Sequence, residues 1–423
     1  MTHRRNKVFR PLSGIIVQNT SSINTSCPTR RIPTRRLKKT RYYMNTMTSP
    51  VVTEVVKTRQ DLNTFISLPG TLYKDDPCWV EPLHMERREH LSSKNPTSEH
   101  VTWQAWIARR GNVPVGRILA QVDTLHRELH GPNTGHFGML DAVDDPEVFR
   151  SLIDTAQAWL REQGAHKITG PFTLNINQES GLLVEGFDTP PSVFMNHNHP
   201  YYEKHLTAQD YAPAMDLLAY WMRTDELNFP APLQRMMDRE RGRIRIRTLD
   251  RSKFEAEMQT LREIFNDAWA NNWGFVPFTE KEFSEMGSQL KLLVPEDLIY
   301  IAEIDNKACA FIVAMPNLQE AFGPLKGSLL PFGWLKLLWK LKVTGTRTAR
   351  VPLMGVRQEY QFSRQGPVLA LLLIEALKQP FVRRKIHALE MSWILETNTG
   401  MRTILERIGA VAYKRYRLYE KSI

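Results

Sequence analysis

Residues 297–316 read DLIYIAEIDNKACAFIVAMP: an alternating run, a turn at Asp305-Asn306, then a second run. Residues 103–122 read WQAWIARRGNVPVGRILAQV and repeat the design, with the turn at Gly111-Asn112. Apolar alternation broken by a short Asn- or Gly-containing turn predicts a β-hairpin in each case. Ile107-Ala108 aligns with Ile301-Ala302, and Asn112 with Asn306, at a constant offset of 194 residues. A repeat at this spacing sets the architecture before any single element does.

The segments that follow match in kind. After the first hairpin come a predicted strand at Phe137–Val143, a helix from about Pro146 to Gln163 and a strand at His166–Thr169. Val148, Leu152, Ala156 and Trp159 form one face of that helix, and Gly164 stops it. After the second hairpin come a strand at Val351–Val356, a helix at about Pro367–Lys378 and a strand at His387–Trp393. A helix carrying Phe254, Met258, Leu261, Phe265 and Trp269 introduces this copy, and Ser252 with Glu255 has the spacing of a capping box. The expectation is an α/β (α+β) chain of two domains of similar topology, at 46–225 and 226–423.

The chain has 423 residues, with 56 Lys+Arg against 45 Asp+Glu and a net charge of +11. Residues 1–45 hold eleven of the basic side chains, and the first acid is Glu54. Removing those eleven leaves 45 basic against 45 acidic residues over 46–423, a neutral body. The tail reads as a transit-like segment, a basic arm or a disordered extension. Its Arg pairs have no interleaved aromatics, so nucleic acid is not the expected partner, and a DNA-binding role for the tail ranks last. The three cysteines, Cys27, Cys78 and Cys309, lie far apart and fit neither a disulfide framework nor a zinc spacing, which points to a reducing compartment. No apolar run reaches about 18 residues and the start has no apolar leader core, so a cytoplasmic protein is expected.

Gly355–Leu372, GVRQEYQFSRQGPVLALL, resembles the acyl-CoA loop of the Gcn5-related N-acyltransferase (GNAT) superfamily. A strand ends in Val, a Glu-Tyr pair follows, and Gln361 and Gly366 take the outer positions of the motif that opens a helix. Glu396–Lys421, ETNTGMRTILERIGAVAYKRYRLYEK, is similar to the closing motif. NNWGFVPFTEKEF (271–283), GPFTLNINQESGLLVEGFDTPP (170–191) and NHPYYEKHL (198–206) resemble a narrower bacterial group, the tandem GNAT-like YghO proteins. That group is related to bacterial ceramide-synthase-type acyltransferases. The resemblance implies two tandem GNAT-like domains with mixed, mostly antiparallel sheets flanked by helices. It also implies an acyl-CoA-dependent N-acyltransferase acting on a small-molecule or lipid-like amine, with acyl-CoA as co-substrate and no permanently bound cofactor. A catalytically inactive protein of this fold, serving binding or regulation, is the alternative.

By this resemblance Val356, Arg357, Gln361, Arg364, Gln365, Gly366 and Pro367 form the cofactor-binding set. Consecutive N–H groups at a helix start make a nest for a pyrophosphate, and Pro367 loses no needed donor in the first turn. The backbone N–H at Val356 is the expected polariser of the thioester carbonyl. The equivalent loop of the first domain, Asp141–Pro146, presents carboxylates that would repel phosphate. Two positions depart from the motif: Arg364 replaces its first Gly, and Leu405 stands where many members have a Tyr that protonates the leaving thiolate.

Amine acylation needs a base, and Glu179, Glu359 and Glu396 are candidates, with Asn398 near the last. Each carboxylate also reads as a helix cap or a surface acid. Asn177, Tyr201, Tyr202 and Trp334 are candidate substrate contacts, although aromatic packing is the alternative for the tyrosines. His197 and His199 lack a third partner at metal-ligand spacing, so no metal is expected. The segment 325–343, LKGSLLPFGWLKLLWKLKV, has lysines and no acid. It reads as an interfacial helix at the inner membrane, a lid over a lipid channel, or a buried helix.

Overall fold

The computed structural model describes residues 49–329 and 331–423; the basic tail, 1–45, lies outside them. The strands of the first half are β1 (Val51–Val55), β2 (Val101–Arg110), β3 (Val113–Asp123), β4 (Thr134–Ala142), β5 (Lys167–Gly170), β6 (Leu182–Glu185) and β7 (Ala212–Arg223). Those of the second half are β8 (Ile244–Thr248), β9 (Ile299–Ile304), β10 (Lys307–Pro316), β11 (Thr348–Val356), β12 (Ala388–Leu395) and β13 (Val411–Ser422). Helices of seven residues or more are α1 (Arg59–Leu72), α2 (His84–His90), α3 (Thr124–His130), α4 (Pro146–Glu162), α5 (Tyr201–Thr207) and α6 (Ala231–Glu240). They continue with α7 (Phe254–Trp269), α8 (Glu280–Leu293), α9 (Gly333–Trp339), α10 (Gln365–Ala376), α11 (Lys378–Arg384) and α12 (Thr399–Arg407).

Both hairpins form, β2–β3 and β9–β10. Gly111 sits at φ +57°, and Asp305 and Asn306 at +51° and +62°, the left-handed pair that a tight hairpin turn demands. Each hairpin leads into a parallel pair crossed by helix, β4–β5 through α4 and β11–β12 through α10 and α11. The other pairings are antiparallel, giving one mixed sheet flanked by helices. Its order is β1-β2-β3-β4-β5-β13-β7-β12-β11-β10-β9-β8, with β6 pairing off the path with β13.

The middle of that order weaves the repeats together. β7 precedes residue 225 yet lies against β12, while β13, near the C-terminus, lies against β5. β7 and β13 also pair with each other, from Val411 opposite Trp221 to Glu420 opposite Ala212.

The helices follow their apolar faces. Asp145 caps α4 by accepting from Glu147 N at 2.9 Å, and Val148, Leu152, Ala156 and Leu160 are buried against the sheet. α7 buries Phe254, Met258, Leu261 and Phe265 as its spacing predicts, but its start differs from expectation. The Ser252 hydroxyl donates to Asp250 at 2.6 Å instead of capping the helix, because Asp250 closes a 3-10 turn just ahead of it. α10 is apolar all round and buried from Val368 to Ile374. Cys309 is buried and free; Cys27 lies outside the described residues.

Candidate active site

Parallel pairing of β11 with β12 runs from Thr348–Ala388 to Val351–Met391 and then stops. Both strands continue, β11 to Val356 and β12 to Leu395, so they part around a gap. A cavity of about 910 Å³ occupies it, lined by Val351–Val356 residues on one side and Met391–Leu395 on the other. α10 contributes Ala370, Leu371 and Ile374, and α12 contributes Ile404 and Leu405. The lining is predominantly apolar. Among the described residues it includes no Asp, Glu, His, Lys, Tyr or Cys, and Arg407 is the one charged residue.

The loop after β11 is held rigidly. Gln361 donates through Nε2 to Val356 O and to Ala268 O, both at 2.8 Å, tying the loop to the strand end and to α7. Gln358 is fixed to Asp267, its N–H to the carboxylate at 2.8 Å and its amide to the carbonyl at 2.7 Å. Gln365 N donates to Ser363 Oγ at 3.0 Å. A Cβ on Gly366 would lie 2.6 Å from Tyr360 O and 2.9 Å from Gln361 O. Only glycine lets α10 start this close to the preceding carbonyls.

Behind the gap, a buried network holds β12. Arg350 Nε donates to Ser392 Oγ at 2.9 Å and Arg350 Nη1 to Val193 O at 2.7 Å. Ser392 donates to Glu390 at 2.6 Å, and Tyr413 donates to Glu390 as well. The guanidinium lies 4.7 Å from the Trp393 ring centre. Burial lowers the Arg350 pKa despite the Glu390 charge. Ser392 and Trp393, two cavity walls, are thereby fixed in place.

The candidate residues divide clearly. Val356, Gln361, Gly366, Pro367, Asn177 and Asn398 line the cavity. Asn177 donates to Val276 O at 2.8 Å, and Asn398 caps α12 by accepting from Met401 N at 3.1 Å. Arg357 donates to Ala308 O at 3.0 Å and approaches Glu263 at 3.6 Å. Arg364 is exposed ahead of α10. The Glu396 carboxylate accepts from Asp216 N at 3.3 Å, between Leu395 and Thr397, which do line the cavity.

The others lie elsewhere. Glu179 is ion-paired with Arg87 and lines a different cavity of about 120 Å³. Burial would raise its pKa, but the Arg87 charge and hydrogen bond lower it. Tyr201 donates to Ala142 O at 2.7 Å; Tyr202 accepts from Ala142 N at 2.9 Å and meets Tyr73, whose hydroxyl donates to Asp141. They brace α5 against the end of β4. His197 pairs with Asp76 at 2.8 Å, and the described residues include no group of three or more ligating side chains fit for a metal. In the first repeat Asp145 and Glu147 are both engaged by Arg110, at 2.7 and 2.6 Å. Trp334 sits on α9, outside the cavity lining and 46% exposed.

The strongest contributions that residue typing missed are Asn272 and Trp273, which line the cavity from the loop after α7. Their signal was available: Asn-Asn-Trp-Gly, with Gly274 at φ +64°, marks a shaped turn next to an aromatic.

No family model matches the chain. It is 64% identical over 365 residues to "Protein YghO" of Escherichia coli (strain K12), covering 86% of this chain and 94% of the relative. It is 45% identical over 372 residues to "Bacterial ceramide synthase" of Caulobacter vibrioides (strain NA1000 / CB15N), covering 87% and 96%. A solved tandem GNAT protein from the clavulanic acid biosynthesis pathway superposes with TM-score 0.51 at 12% identity, over 88% of this chain and 98% of that one. The GCN5-related glucosamine N-acetyltransferase region of a fungal multi-domain enzyme gives 0.53 at 14%, over 88% and 38%. At such identities these likenesses show the fold alone.

Proposed function

The chain belongs to the tandem GNAT-like family of YghO and the bacterial ceramide synthase, and from that premise we propose that it is an N-acyltransferase moving an acyl group from acyl-CoA to the amine of a long-chain amino alcohol. The observation that carries this reading is the cavity where β11 and β12 part, predominantly apolar and lined in part by the braced loop that starts α10. The loop and the helix start receive the pyrophosphate, with Val356, Gln361, Gly366 and Pro367 in the cavity wall. The acyl chain extends between α10 and α12. The amine nitrogen attacks the thioester carbon; the C–N bond forms, the C–S bond breaks, and the CoA sulfur takes up the proton the amine loses. A cavity of about 910 Å³ lies near the upper end of the usual range for small-molecule sites, about 300–1,000 Å³, and suits a long chain better than acetyl.

α9 fits a lipid-borne substrate. Phe332, Trp334, Leu335, Leu338, Trp339 and Val343 are all exposed, and Lys336 and Lys340 stand among them. We place this face on an anionic membrane surface. Among the described residues no helix is long and apolar enough to cross a membrane, so the contact is peripheral.

One observation favours a second reading, that the protein binds acyl-CoA without turning it over: among the described residues the large cavity is lined by no carboxylate, imidazole, lysine, phenol or thiol, and Leu405 lines it. Release of CoA thiol, measured across acyl-CoA lengths and amines, decides. Turnover with a long-chain acyl-CoA and a long-chain amino alcohol is expected. Binding of acyl-CoA without release under all pairings would instead establish the second reading.

A further inference from the structure

A second cavity, about 390 Å³, adjoins the first, and Ile176, Asn272 and Trp273 line both. Its walls are of opposite character. Asp123, His126, His130, His136, Lys167 and Asn175 all face it. Three of these residues carry a buried polar atom with no hydrogen-bond partner among the described residues: Asp123 Oδ2, His126 Nδ1 and Asn175 Nδ2. Asp123 and Asn175 are only 1% and 2% exposed. Buried polar atoms are almost always paired, and an orphan is costly. Three orphans around one cavity point to a polar guest.

The chemistry of that guest follows from what is left over. Asp123 Oδ1 is taken by His100 Nδ1 and Leu125 N, both at 2.9 Å, so Oδ2 remains for an N–H or O–H. Asn175 Oδ1 accepts from Asn177 N at 3.0 Å, so its amide hydrogens remain for an oxygen. The His126 ring lies 4.5 Å from that of His136 and 4.6 Å from that of His130. Burial brings His126 down to about 4 and His136 well below its usual value, which leaves both rings neutral at neutral pH. A neutral imidazole both donates and accepts. Lys167 is engaged by Glu420 at 2.6 Å. The free groups together suit an amine with neighbouring hydroxyls.

We propose that the histidine-lined cavity is the acceptor's head-group site, holding the amine and hydroxyls while the hydrocarbon tail and the thioester lie beyond Trp273 in the larger cavity. This rests on the acyl-transfer reading above and supplies what that cavity lacks. Among the described residues the larger cavity has no carboxylate or imidazole in its lining; the adjoining one has a carboxylate and three imidazoles, and Asn272 and Trp273 line both.

The test uses the full chain with an acyl-CoA and two acceptors of equal length, a C18 2-amino-1,3-diol and octadecylamine. His126→Gln and Asn175→Asp are compared with the unaltered protein; the second keeps an oxygen to accept from Asn177 N and replaces the amide donor with a carboxylate oxygen. Each is expected to raise the KM for the aminodiol at least tenfold, to leave the KM for acyl-CoA within twofold, and to shrink the preference for the aminodiol over octadecylamine. The unchanged acyl-CoA KM also reports that the variant is folded. In the unaltered protein, 2-amino-1,3-propanediol should compete with the aminodiol and not with acyl-CoA. An aminodiol KM unmoved by both substitutions, or no competition by the short aminodiol, overturns the head-group site while acyl transfer stands. Absence of CoA release from the unaltered protein with either amine overturns the acyl-transfer reading, and this inference with it.

Discussion

Gly366 shows how a single position ties chemistry to packing. Its missing Cβ is what lets α10 begin against the carbonyls of Tyr360 and Gln361. Gly366→Ala is therefore expected to displace the loop, at a cost of about 1–3 kcal/mol, and to weaken acyl-CoA binding at least tenfold in calorimetry. Gln361→Leu should follow at about 1–3 kcal/mol, because it strands two carbonyls. The motif residues Gln361 and Gly366 were readable in the sequence since their spacing is local. The partners of Glu179 and Tyr202 were not: Arg87 is 92 positions from the first and Tyr73 is 129 from the second. Nothing in the order of residues announces such contacts. The pair His126 and His130, four apart on α3, did carry a signal of one helix face.

His100 joins the two halves through its charge. Its ring meets Asp123 at 2.9 Å and Glu282 of α8 at 3.1 Å, and Thr97 donates to the same Glu282 at 3.0 Å. Burial alone would lower its pKa; the two carboxylates overcome this and raise it to about 9. A folded-state value above the unfolded one, about 6.5, means that the stabilisation is full below pH 6.5 and is lost as pH rises towards 9. Glu282 behaves in the opposite sense: burial opposes its charge, but His100 and Thr279 lower its pKa, so its contribution is lost on acidification. Melting temperature should thus fall between pH 6.5 and 9, and His100→Gln should flatten that decline. A slope unaffected by the substitution would show that other groups set it.

Among the elements, α9 lets the proposed membrane contact be tested apart from the proposed acyl transfer. Trp334 and Trp339 are 46% and 65% exposed and lie outside the lining of the larger cavity. Replacing both with Ser should abolish co-sedimentation with phosphatidylglycerol vesicles and leave melting temperature within a few degrees. Turnover of a detergent-dispersed acceptor should survive, while turnover of a vesicle-borne one drops severalfold. The exposure of this helix speaks against the buried alternative, which its composition left open because an amphipathic basic segment reads equally well as buried or interfacial. The hairpins and crossover helices were more legible, because alternation, turn residues and helical spacing are all local. The start of α7 was misread because Ser252 had a nearer partner in Asp250.

Taken whole, the molecule is two copies of one topology, yet its sheet is continuous. Hairpin, strand, helix and strand occur twice, as the sequence repeat implies. β7 and β13, however, look like ordinary strands in sequence, and their exchange across the middle depends on partners far away. Removing residues 411–422 should destroy both halves: β5 and β7 each lose a neighbour, and Tyr416, Leu418 and Tyr419, all fully buried, leave the core. Calorimetry of the intact chain should show one cooperative transition; two separable melts would contradict this coupling.

The exchange also bears on the order in which the chain is made. A ribosome delivers β5 and β7 long before β13, so the neighbour that separates them is still unsynthesised when the first half emerges. Until then, both strands present open edges, which are prone to pairing with other chains. Nascent chains should therefore depend on holding factors until synthesis has passed residue 422.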